Sequence, residues 1–291
     1  MHSTRLATLL AAAALAACSI PTDRAAPPAA ETLHAVTVDD RLVSFDAHRP
    51  GTLLSDRPIA GLQPGERVLG IDYRVARGEL YALGSSGRLY RVDPDSAAAS
   101  PVGAPFAVPL AGTEFGFDFN PTVDRIRVVS DAGLNLRLHP DTGAVVDGDP
   151  NAAGLQTDGA LAYDASDRNA GRAPAVTAAG YTYNKVDEKI TTNYAIDARQ
   201  GTLVIQGSRE GAQPAVSPNA GRLSTVGPLG AGPIARASFD IGDVRNVAYA
   251  ALAAPGASAA VLYRVDLGTG AATRIGPIGG GRPVTGIAIQ P

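Results

Sequence analysis

The segment from Phe115 to Gly143, FGFDFNPTVDRIRVVSDAGLNLRLHPDTG, concentrates side chains that could do chemistry. Between Asp118 and Asp141 it carries four acids, three arginines, two asparagines and a histidine, in a chain otherwise rich in Ala and Gly. Carboxylates and guanidinium groups at this density could recognise a charged ligand. The candidate ligand-binding residues are Asp118, Arg125, Arg127, Asp131 and Arg137.

The arginines of this segment have two interpretations. Alternation along a strand puts Arg125 and Arg127 on one face, and Asn135 and Arg137 on one face of the next strand. They could form an anion-binding cluster, or a ladder of charge-assisted hydrogen bonds between structural units. The ladder is favoured, because arginines recur at the position of Arg137 elsewhere in the chain, as Arg91 and Arg264.

A second polar cluster follows in VDGDPNAAG (146–154) and QTDGALAYD (156–164). Oxygens of Asp147, Asp149, Asn151 and Asp158 at short spacing could bind Ca²⁺. The segment lacks the Glu that ends an EF-hand loop, and Asp-Gly and Asp-Pro are ordinary turn dipeptides. Turn formation is therefore favoured, and Ca²⁺ is the one cofactor that the sequence suggests.

Motifs of the common enzyme classes are absent from the sequence. The histidines, His2, His34, His48 and His139, form no HxH or HExxH arrangement, so no zinc site is predicted. There is no GxSxG elbow, P-loop or dinucleotide-binding glycine pattern. The residues therefore assign no catalytic group.

An internal repeat predicts the architecture. Five segments have alternating apolar residues followed by a turn rich in Asp, Gly or Pro. They are RLVSFDAHRPG (41–51), RLYRVDPDS (88–96), LNLRLHPDTG (134–143), TNYAIDARQG (192–201) and LYRVDLGTG (262–270). With further short strands on either side, four strands at a period in the mid-forties predict the blade of a β-propeller.

The number of innermost strands predicts five blades. These strands are GIDY (70–73), GFDF (116–119), ALAY (160–163), SFDI (238–241) and GIAI (286–289). In the fourth unit TAAGYTYN (177–184) is then the second strand, and residues 201–230 are a long hairpin insertion; a sixth blade in that stretch is the alternative. GIAI has no strands after it, so we expect it to complete the N-terminal blade and close the ring.

Asp118 recurs in this repeat. The same position holds Asp72 and Asp240 in two other units, and Ala162 and Ala288 in the remaining two. A catalytic residue is usually unique, whereas a recurring aspartate more often accepts hydrogen bonds from amides at turns or strand ends. A structural role for Asp118 is therefore favoured over a catalytic one.

The N-terminus resembles a lipoprotein signal. In MHSTRLATLLAAAALAACSI a positive residue, a short apolar run and small residues precede Cys18, the single cysteine. We expect residues 1–17 to be a signal peptide, Cys18 to be lipidated, 18–31 to be a flexible tether and 32–291 to form one domain. Ser19 favours the outer membrane if the cell is Gram-negative; the alternative is a plain secretory signal and a secreted protein.

The charge balance argues against nucleic acid as a partner. The formal net charge is -3, and no basic stripe is present. The expected partners are the membrane, through the N-terminal lipid, and a protein or small-molecule ligand at the propeller channel. The protein is expected to be a monomer.

The segment GTEFGFDFNPTVDRIRVVSDAGLNLRLHPDTGAVVDGD (112–149) resembles a bacterial family known only as a domain of unknown function, family 4394. The resemblance extends through 70–93, 219–230 and 262–279, and so covers about residues 33–290. It implies a propeller-like fold and an envelope or secreted location, and it brings no catalytic residues. The insert REGAQPAVSPNAG (209–221) is longer than expected for the family.

Two functions remain open. The favoured one is a lipid-anchored propeller that binds a ligand or scaffolds proteins at the cell envelope, with its ligand at the channel mouth near loops 104–114, 147–159 and 230–237. The alternative is a propeller hydrolase or lyase acting on a sugar or lactone, with carboxylates and Ca²⁺ at the channel. The fold cannot decide between them; carboxylates converging in the channel would favour the enzyme.

Overall fold

Five β-sheets arranged as a ring make up the protein, in a computed structural model that describes residues 31–242 and 245–291. Period-two alternation of apolar residues makes these segments strands, and Gly, Asp and Pro between them supply the turns. In chain order β1–β20 are Thr32–Thr37, Arg41–Asp46, Leu53–Pro58, Val68–Arg74, Glu79–Gly84, Leu89–Val92, Ala99–Val102, Phe115–Asn120, Arg125–Ser130, Asn135–Leu138, Ala162–Tyr163, Val176–Tyr181, Asn193–Asp197, Thr202–Gln206, Arg222–Pro228, Arg236–Ile241, Ala248–Ala253, Val261–Val265, Ala272–Pro277 and Val284–Ile289. Three short 3-10 turns, Val75–Arg77, Pro218–Ala220 and Ile278–Gly280, are the helical elements of the described residues.

Each sheet is one blade, with its innermost strand at the channel. Blade 1 has the order β20-β1-β2-β3, blade 2 β4-β5-β6-β7, blade 3 β8-β9-β10, blade 4 β12-β13-β14-β15 with β11 outside, and blade 5 β16-β17-β18-β19. In blade 3 the bridge between Leu138 and Val145 stands where a fourth strand would pair. The predicted five-bladed all-β propeller is confirmed.

The ring closes through the C-terminal strand, as the sequence predicts. Strand β20 pairs antiparallel with β1, from Leu33 opposite Ile289 to Thr37 opposite Val284. The innermost strand of blade 1 therefore comes from the end of the chain, and both ends of the domain are held in one sheet. This closure leaves the inner edge of blade 1 paired rather than open.

Blade 4 differs from its predicted arrangement. The innermost strand is β12, from the segment predicted as the second strand, whereas Ala162–Tyr163 (β11) pairs in parallel with β15 at the outer edge. Residues 201–230 are not a simple insertion, because they contain the third and fourth strands, β14 and β15. The prediction was wrong here since ALAY and TAAGY carry the same alternation, and only the sheet pairing distinguishes them.

The core lies between adjacent blades. Inner strands are buried on both faces, as in β12, while outer strands such as β3 are largely exposed. Between blades 2 and 3, for example, Tyr81, Phe117 and Phe119 pack together with edge-to-face ring contacts. The inner strands are therefore more deeply buried than the outer ones.

The predicted Asp-rich turns form after the third strand of four blades. Asp46, Asp93 and Asp266 each accept the backbone N–H of the residue two positions later, and the His139 Nδ1 accepts that of Asp141 in the same way. Asp197, aligned with them in the sequence, instead ends the second strand of blade 4. Its carboxylate accepts the Tyr163 hydroxyl at 2.6 Å.

The predicted signal peptide and Cys18 lie outside the described residues. Within residues 31–242 and 245–291, no helix has the length and hydrophobicity needed to cross a bilayer.

Candidate functional site in the propeller channel

Three carboxylates converge in the channel. Asp72, Asp118 and Asp240 occupy the same position on the innermost strands β4, β8 and β16, and their side chains are buried, at 6%, 3% and 5% exposure. One carboxylate oxygen from each lies within 4.8 Å of the others. In the described part of the chain this is the one group of three or more Asp, Glu, His or Cys side chains close enough to share a metal ion.

Each carboxylate also holds the next blade. Asp72 accepts the backbone N–H of Phe119 at 2.7 Å, Asp118 that of Tyr181 at 2.9 Å, and Asp240 that of Ile289 at 2.5 Å. The amides belong to inner strands of neighbouring blades rather than to turns. These hydrogen bonds join blade 2 to blade 3, blade 3 to blade 4 and blade 5 to blade 1.

The same hydrogen-bond pattern identifies the equivalent positions in the other two blades. The residue before each donating amide is Asp118, Gly180 or Ala288. The position in blade 4 is therefore Gly180 and not Ala162, as a consequence of the misassigned strand. Because blades 1 and 4 contribute no carboxylate, the ring has three acids at five positions.

Burial makes this group electrostatically unusual. Removal from water raises the pKa of Asp72 well above its ordinary value, and the nearby Asp240 charge raises it further. Burial likewise raises the pKa of Asp118, with added repulsion from Asp72 and Asp240, against the opposing effect of the Tyr181 amide. Three like charges this close cannot all ionise near neutral pH unless a cation balances them, so the group either retains protons or binds a cation.

The carboxylates open into a cavity of about 630 Å³, called here the axial cavity. The aromatic residues Tyr73, Phe119, Tyr181 and Tyr183 are among those that line it. Two exposed charged side chains, Lys185 and Glu188, also line it. A volume of this size is that of a small-molecule site with a few converging polar groups.

In the opposite direction the channel is almost filled. The small residues Gly70, Gly116, Ala178, Ser238 and Gly286 occupy equivalent positions, where they let the inner strands approach each other. The first four of these residues, together with Phe117 and Phe239, line a void of only about 10 Å³. The loops predicted at the ligand mouth, 104–114, 147–159 and 230–237, do not line the axial cavity. Segments that follow the inner strands line it instead.

Two predicted ligand-binding arginines form ion pairs with Asp158. The buried Arg127 donates to Asp158 Oδ2 at 2.6 Å, and Arg137 binds the same carboxylate with Nε and Nη2, at 2.8 Å each. Arg127 also donates to Tyr181 Oη and Asn219 Oδ1 in blade 4, at 3.1 and 2.7 Å. The geometry is that of a charge-assisted network across the boundary between blades 3 and 4.

The other predicted ligand-binding residues are not brought together with Asp118. Asp131 holds the preceding loop, accepting the Thr113 N–H at 2.8 Å and its hydroxyl at 2.7 Å. Arg125 donates to the Asp124 carbonyl at 2.8 Å. Asp118 and Arg127 face each other in register, but no ion pair joins them among the described residues. Only Asp118 of the predicted set lines the axial cavity.

The predicted calcium loop forms turns in this structure. Asp147 Oδ1 accepts the backbone N–H groups of Asp149 and Gln156, each at 3.1 Å, and Asp149 Oδ1 accepts that of Asn151. The carboxylate of Asp158 lies between two guanidinium groups. Across the described residues, Asp147, Asp149 and Asp158 do not form a group with oxygens within 4.8 Å of one another.

Asp72 and Asp240 are the site residues that sequence reasoning did not assign. Their signal was present, since both share the repeat position of Asp118. Equivalent positions on the innermost strands of a closed ring must face a common axis, so recurrence could have predicted convergence as well as a structural role.

Comparison with known proteins identifies the family. The profile of a family described as a domain of unknown function, DUF4394, matches residues 41–288. The chain belongs to this family. No curated protein matches the sequence significantly. Among solved structures the DUF4394 chain is similar to one in the crystal structure of a nidogen/laminin complex, at 11% identity over 90% of this chain and 98% of that chain, with a TM-score of 0.41. It is also similar to one in the crystal structure of a mitotic checkpoint complex, at 13% identity over 86% of this chain and 62% of that chain, with a TM-score of 0.34.

The carboxylates of this DUF4394 propeller have two chemical capacities. Ionised, they offer oxygen ligands to a metal ion or acceptors to an ammonium group. Protonated, a carboxyl such as Asp118 can donate a hydrogen bond or a proton to a ligand in the axial cavity. Which capacity operates depends on whether a cation is bound.

Proposed function

We propose that this protein is a binding module that holds a small cationic ligand in the axial cavity. The observation that carries the proposal is the convergence of Asp72, Asp118 and Asp240 to within 4.8 Å at nearly complete burial. Burying three carboxylates together is unfavourable without a compensating charge. A bound cation offsets that cost, and the uncompensated negative charge of the three carboxylates in turn favours cation binding.

The hydrogen bonding of Asp118 supports a ligand facing the cavity. Its Oδ1 accepts the Tyr181 amide, whereas Oδ2 receives no hydrogen bond from the described residues. The side chain is only 3% exposed, and it lines the axial cavity. One oxygen therefore fixes the side chain to blade 4, and the other is available to a ligand.

Two kinds of cation fit this environment. A divalent metal ion such as Ca²⁺ takes several carboxylate oxygens. An organic ammonium ion pairs with the carboxylates, and the aromatic residues Phe119, Tyr181 and Tyr183 of the cavity lining add apolar surface for its carbon atoms. Both share the requirement for positive charge, so one experiment with two arms distinguishes them.

The test compares thermal unfolding with millimolar CaCl₂, MgCl₂ and MnCl₂ in one arm, and with ethanolamine and spermidine in the other, at pH 8. We expect at least one cation to raise Tm by several degrees by mass action. Asp118→Asn should abolish that shift, and Asp95→Asn, which changes an exposed acid of blade 2, should retain it. If no cation shifts Tm, or if the shift survives Asp118→Asn, the axial cavity is not a cation site.

The second candidate is a hydrolase or lyase acting on a sugar or lactone. It is favoured by the raised pKa of Asp118, because a carboxyl that keeps its proton toward neutral pH can serve as a general acid. The measurement is turnover of a panel of chromogenic glycosides and lactones by the wild type and by Asp118→Asn. Turnover by the wild type that disappears in the variant would support the enzyme hypothesis. If neither protein turns over any substrate, the binding-module hypothesis is favoured.

We also propose that the protein is a lipid-anchored monomer of the cell envelope. The support is the sequence LAACS, in which Cys18 follows an apolar run and two small residues. Cys18→Ala should move the protein from the membrane fraction to the soluble fraction. Membrane association that persists in the variant would contradict the proposed lipid anchor. Light scattering of the detergent-free domain tests whether the protein is a monomer.

A further inference from the structure

A second cavity, of about 680 Å³, lies between blades 3 and 4 and is called here the side cavity. Blade 3 contributes Arg125 and Arg137, and blade 4 contributes Asn193 of β13 and Gln206 of β14. The segment from Ser208 to Asn219 supplies much of the remaining lining. This segment lies in the connection between β14 and β15, which is longer than the corresponding connections of blades 1, 2 and 5, so the side cavity is built from a feature that the repeat does not require.

Two buried amide side chains in the cavity wall have polar atoms without hydrogen-bond partners. Asn193 is 2% exposed, and neither its Oδ1 nor its Nδ2 has a partner in the described structure. Gln206 is fully buried; its Nε2 donates to Asn135 Oδ1 at 3.0 Å and to the Pro218 carbonyl at 2.7 Å, and its Oε1 has no partner. Buried polar atoms almost always have partners in folded proteins. Two such side chains in one cavity wall therefore point to a polar occupant.

The side cavity is also rich in positive charge. Arg125, Arg127, Arg137, Lys189 and Arg209 line it, against a single acid of the lining, Glu210. Asp158 neutralises part of the charge of Arg127 and Arg137. In the described chain, by contrast, no carboxylate lies within 4.0 Å of the charged groups of Arg125, Lys189 or Arg209.

Among the three cations without a carboxylate partner, Arg209 is held by an aromatic side chain. It donates to the Tyr194 hydroxyl at 2.8 Å, and its guanidinium carbon lies 5.7 Å from the centre of that ring. These contacts orient the group without cancelling its charge. An anionic ligand would therefore meet a positioned guanidinium, with the exposed Lys189 as a second cation.

We propose that the side cavity binds a small hydroxylated acid, of the sugar-acid class. The carboxylate of the ligand pairs with Arg125, Lys189 and Arg209. Its hydroxyl groups satisfy Asn193, which offers one acceptor and two donor hydrogens, and Gln206, whose free oxygen accepts a hydroxyl hydrogen. A bare inorganic anion leaves the two amide oxygens without donors, and a neutral sugar leaves the cations without a counter-charge.

The experiment is calorimetric titration of the full-length protein with D-glucuronate, with D-glucose as the neutral counterpart and inorganic phosphate as the bare anion. We expect glucuronate to bind at least about tenfold more tightly than either, which is the effect of one well-placed polar interaction. Arg209→Gln and Lys189→Gln should each weaken glucuronate binding, and Arg168→Gln, an exposed arginine of blade 4 outside the cavity, should not. Asn193→Leu should weaken glucuronate binding while leaving phosphate binding unchanged, with Tm showing that the variant is folded.

Three results would overturn the proposal: no heat of binding with glucuronate, glucose binding as tightly as glucuronate, or phosphate binding as tightly as glucuronate. Asp118→Asn separates the two cavities, because the side cavity should bind glucuronate normally in this variant. Loss of glucuronate binding in Asp118→Asn together with normal binding in Arg209→Gln would assign the ligand to the axial cavity instead.

Discussion

The carboxylate of Asp118 accepts the backbone N–H of Tyr181 at 2.9 Å, and so an acidic side chain of blade 3 holds the innermost strand of blade 4. Asp72 has the same relationship with Phe119, and Asp240 with Ile289. The acids that hold neighbouring blades together are thus also the acids that converge in the channel. The structural role requires an oxygen that accepts the amide hydrogen bond, whereas the ligand-binding role requires a negative charge.

The two roles separate in Asp118→Asn. Asparagine keeps an oxygen for the Tyr181 amide and loses the charge, so the blade contact survives. We expect the cation-free variant to be more stable than the wild type at pH 8, because it no longer buries a negative charge beside two other carboxylates. Urea denaturation in the presence of a chelator measures this difference.

The raised pKa of Asp118 also sets how stability changes with pH. Burial and the like charges of Asp72 and Asp240 raise this pKa above its ordinary value of 3.8. Between 3.8 and the raised pKa, the folded protein keeps a proton that the unfolded chain has released. Wild-type stability therefore falls as pH rises through that window, and the slope should be shallower in Asp118→Asn. Equal slopes for the variant and the wild type would contradict the raised pKa.

The buried network around Asp158 gives a second prediction. Asp158 and Arg127 have side chains only 2% exposed, whereas Arg137 is 20% exposed. Asp158→Asn leaves two guanidinium groups without a counter-charge and should cost about 3–5 kcal/mol in unfolding free energy. Arg137→Gln keeps the Arg127–Asp158 pair and should cost less, about 1–2 kcal/mol.

A third variant checks that charge is the cause. Combining Asp158→Leu with Arg127→Met removes the buried pair as a unit, and it should be more stable than either single change. Equilibrium urea unfolding of the four proteins forms a double-mutant cycle. Additive effects in the cycle would mean that the two side chains stabilise the fold independently, against the network described.

The sequence predicts the ring because its two signals are local. Alternation of apolar residues identifies each strand, and recurrence of Asp or His at the third-strand turn sets the period. Both signals failed in blade 4, where Asp197 follows the second strand and the segment at Ala162 mimics an inner strand. Strand order there depends on pairing between β11 and β15, which are far apart in the chain, so no local pattern could give it.

The site was only partly predictable for a related reason. The repeat position of Asp118 was visible, and it placed Asp72 and Asp240 beside it once the ring closes. The closed end of the channel was not visible, because it depends on how closely Gly116 approaches Ala178 of the next blade. The lack of hydrogen-bond partners for the Asn193 amide was likewise not predictable, because it depends on which segments pack against this side chain. The spacing of residues in the sequence does not encode that packing.

His34 gives a third prediction, on the acid side. Burial lowers the pKa of His34 from 6.5 to about 4, although the Asp95 charge opposes the shift, and the ring nitrogen Nδ1 contacts the Tyr73 hydroxyl at 3.1 Å. Between these two values the unfolded chain binds a proton that the folded protein excludes, so stability falls as pH falls. The loss attributable to His34 should reach up to about 3 kcal/mol near pH 4.

His34→Gln isolates this effect, because the glutamine does not titrate. Its stability should decline less than that of the wild type between pH 6.5 and 4, measured by urea unfolding at half-unit intervals. His48, which is exposed on a turn, provides the matched control, and His48→Gln should follow the wild-type curve. Parallel curves for wild type and His34→Gln would show that the histidine is not responsible.

Gly116→Ala tests the close approach of the inner strands at the almost filled end of the channel. A Cβ at this position would lie 2.7 Å from the backbone of Ala178 and Ala179 in blade 4 and 2.7 Å from a methyl group of Val129. Backbone cannot move aside as a flexible side chain can, so we expect a cost of about 1–3 kcal/mol. In Gly51→Ala the nearest atom, the Pro277 carbonyl oxygen, is 3.7 Å away, and the change should be within about 0.5 kcal/mol. Because Asp118 is two residues from Gly116 on β8, displacement of that strand should also weaken the cation-induced rise in Tm. Equal stability of the two alanine variants would mean that the inner strands have room to separate, and that their small residues do not set the width of the channel.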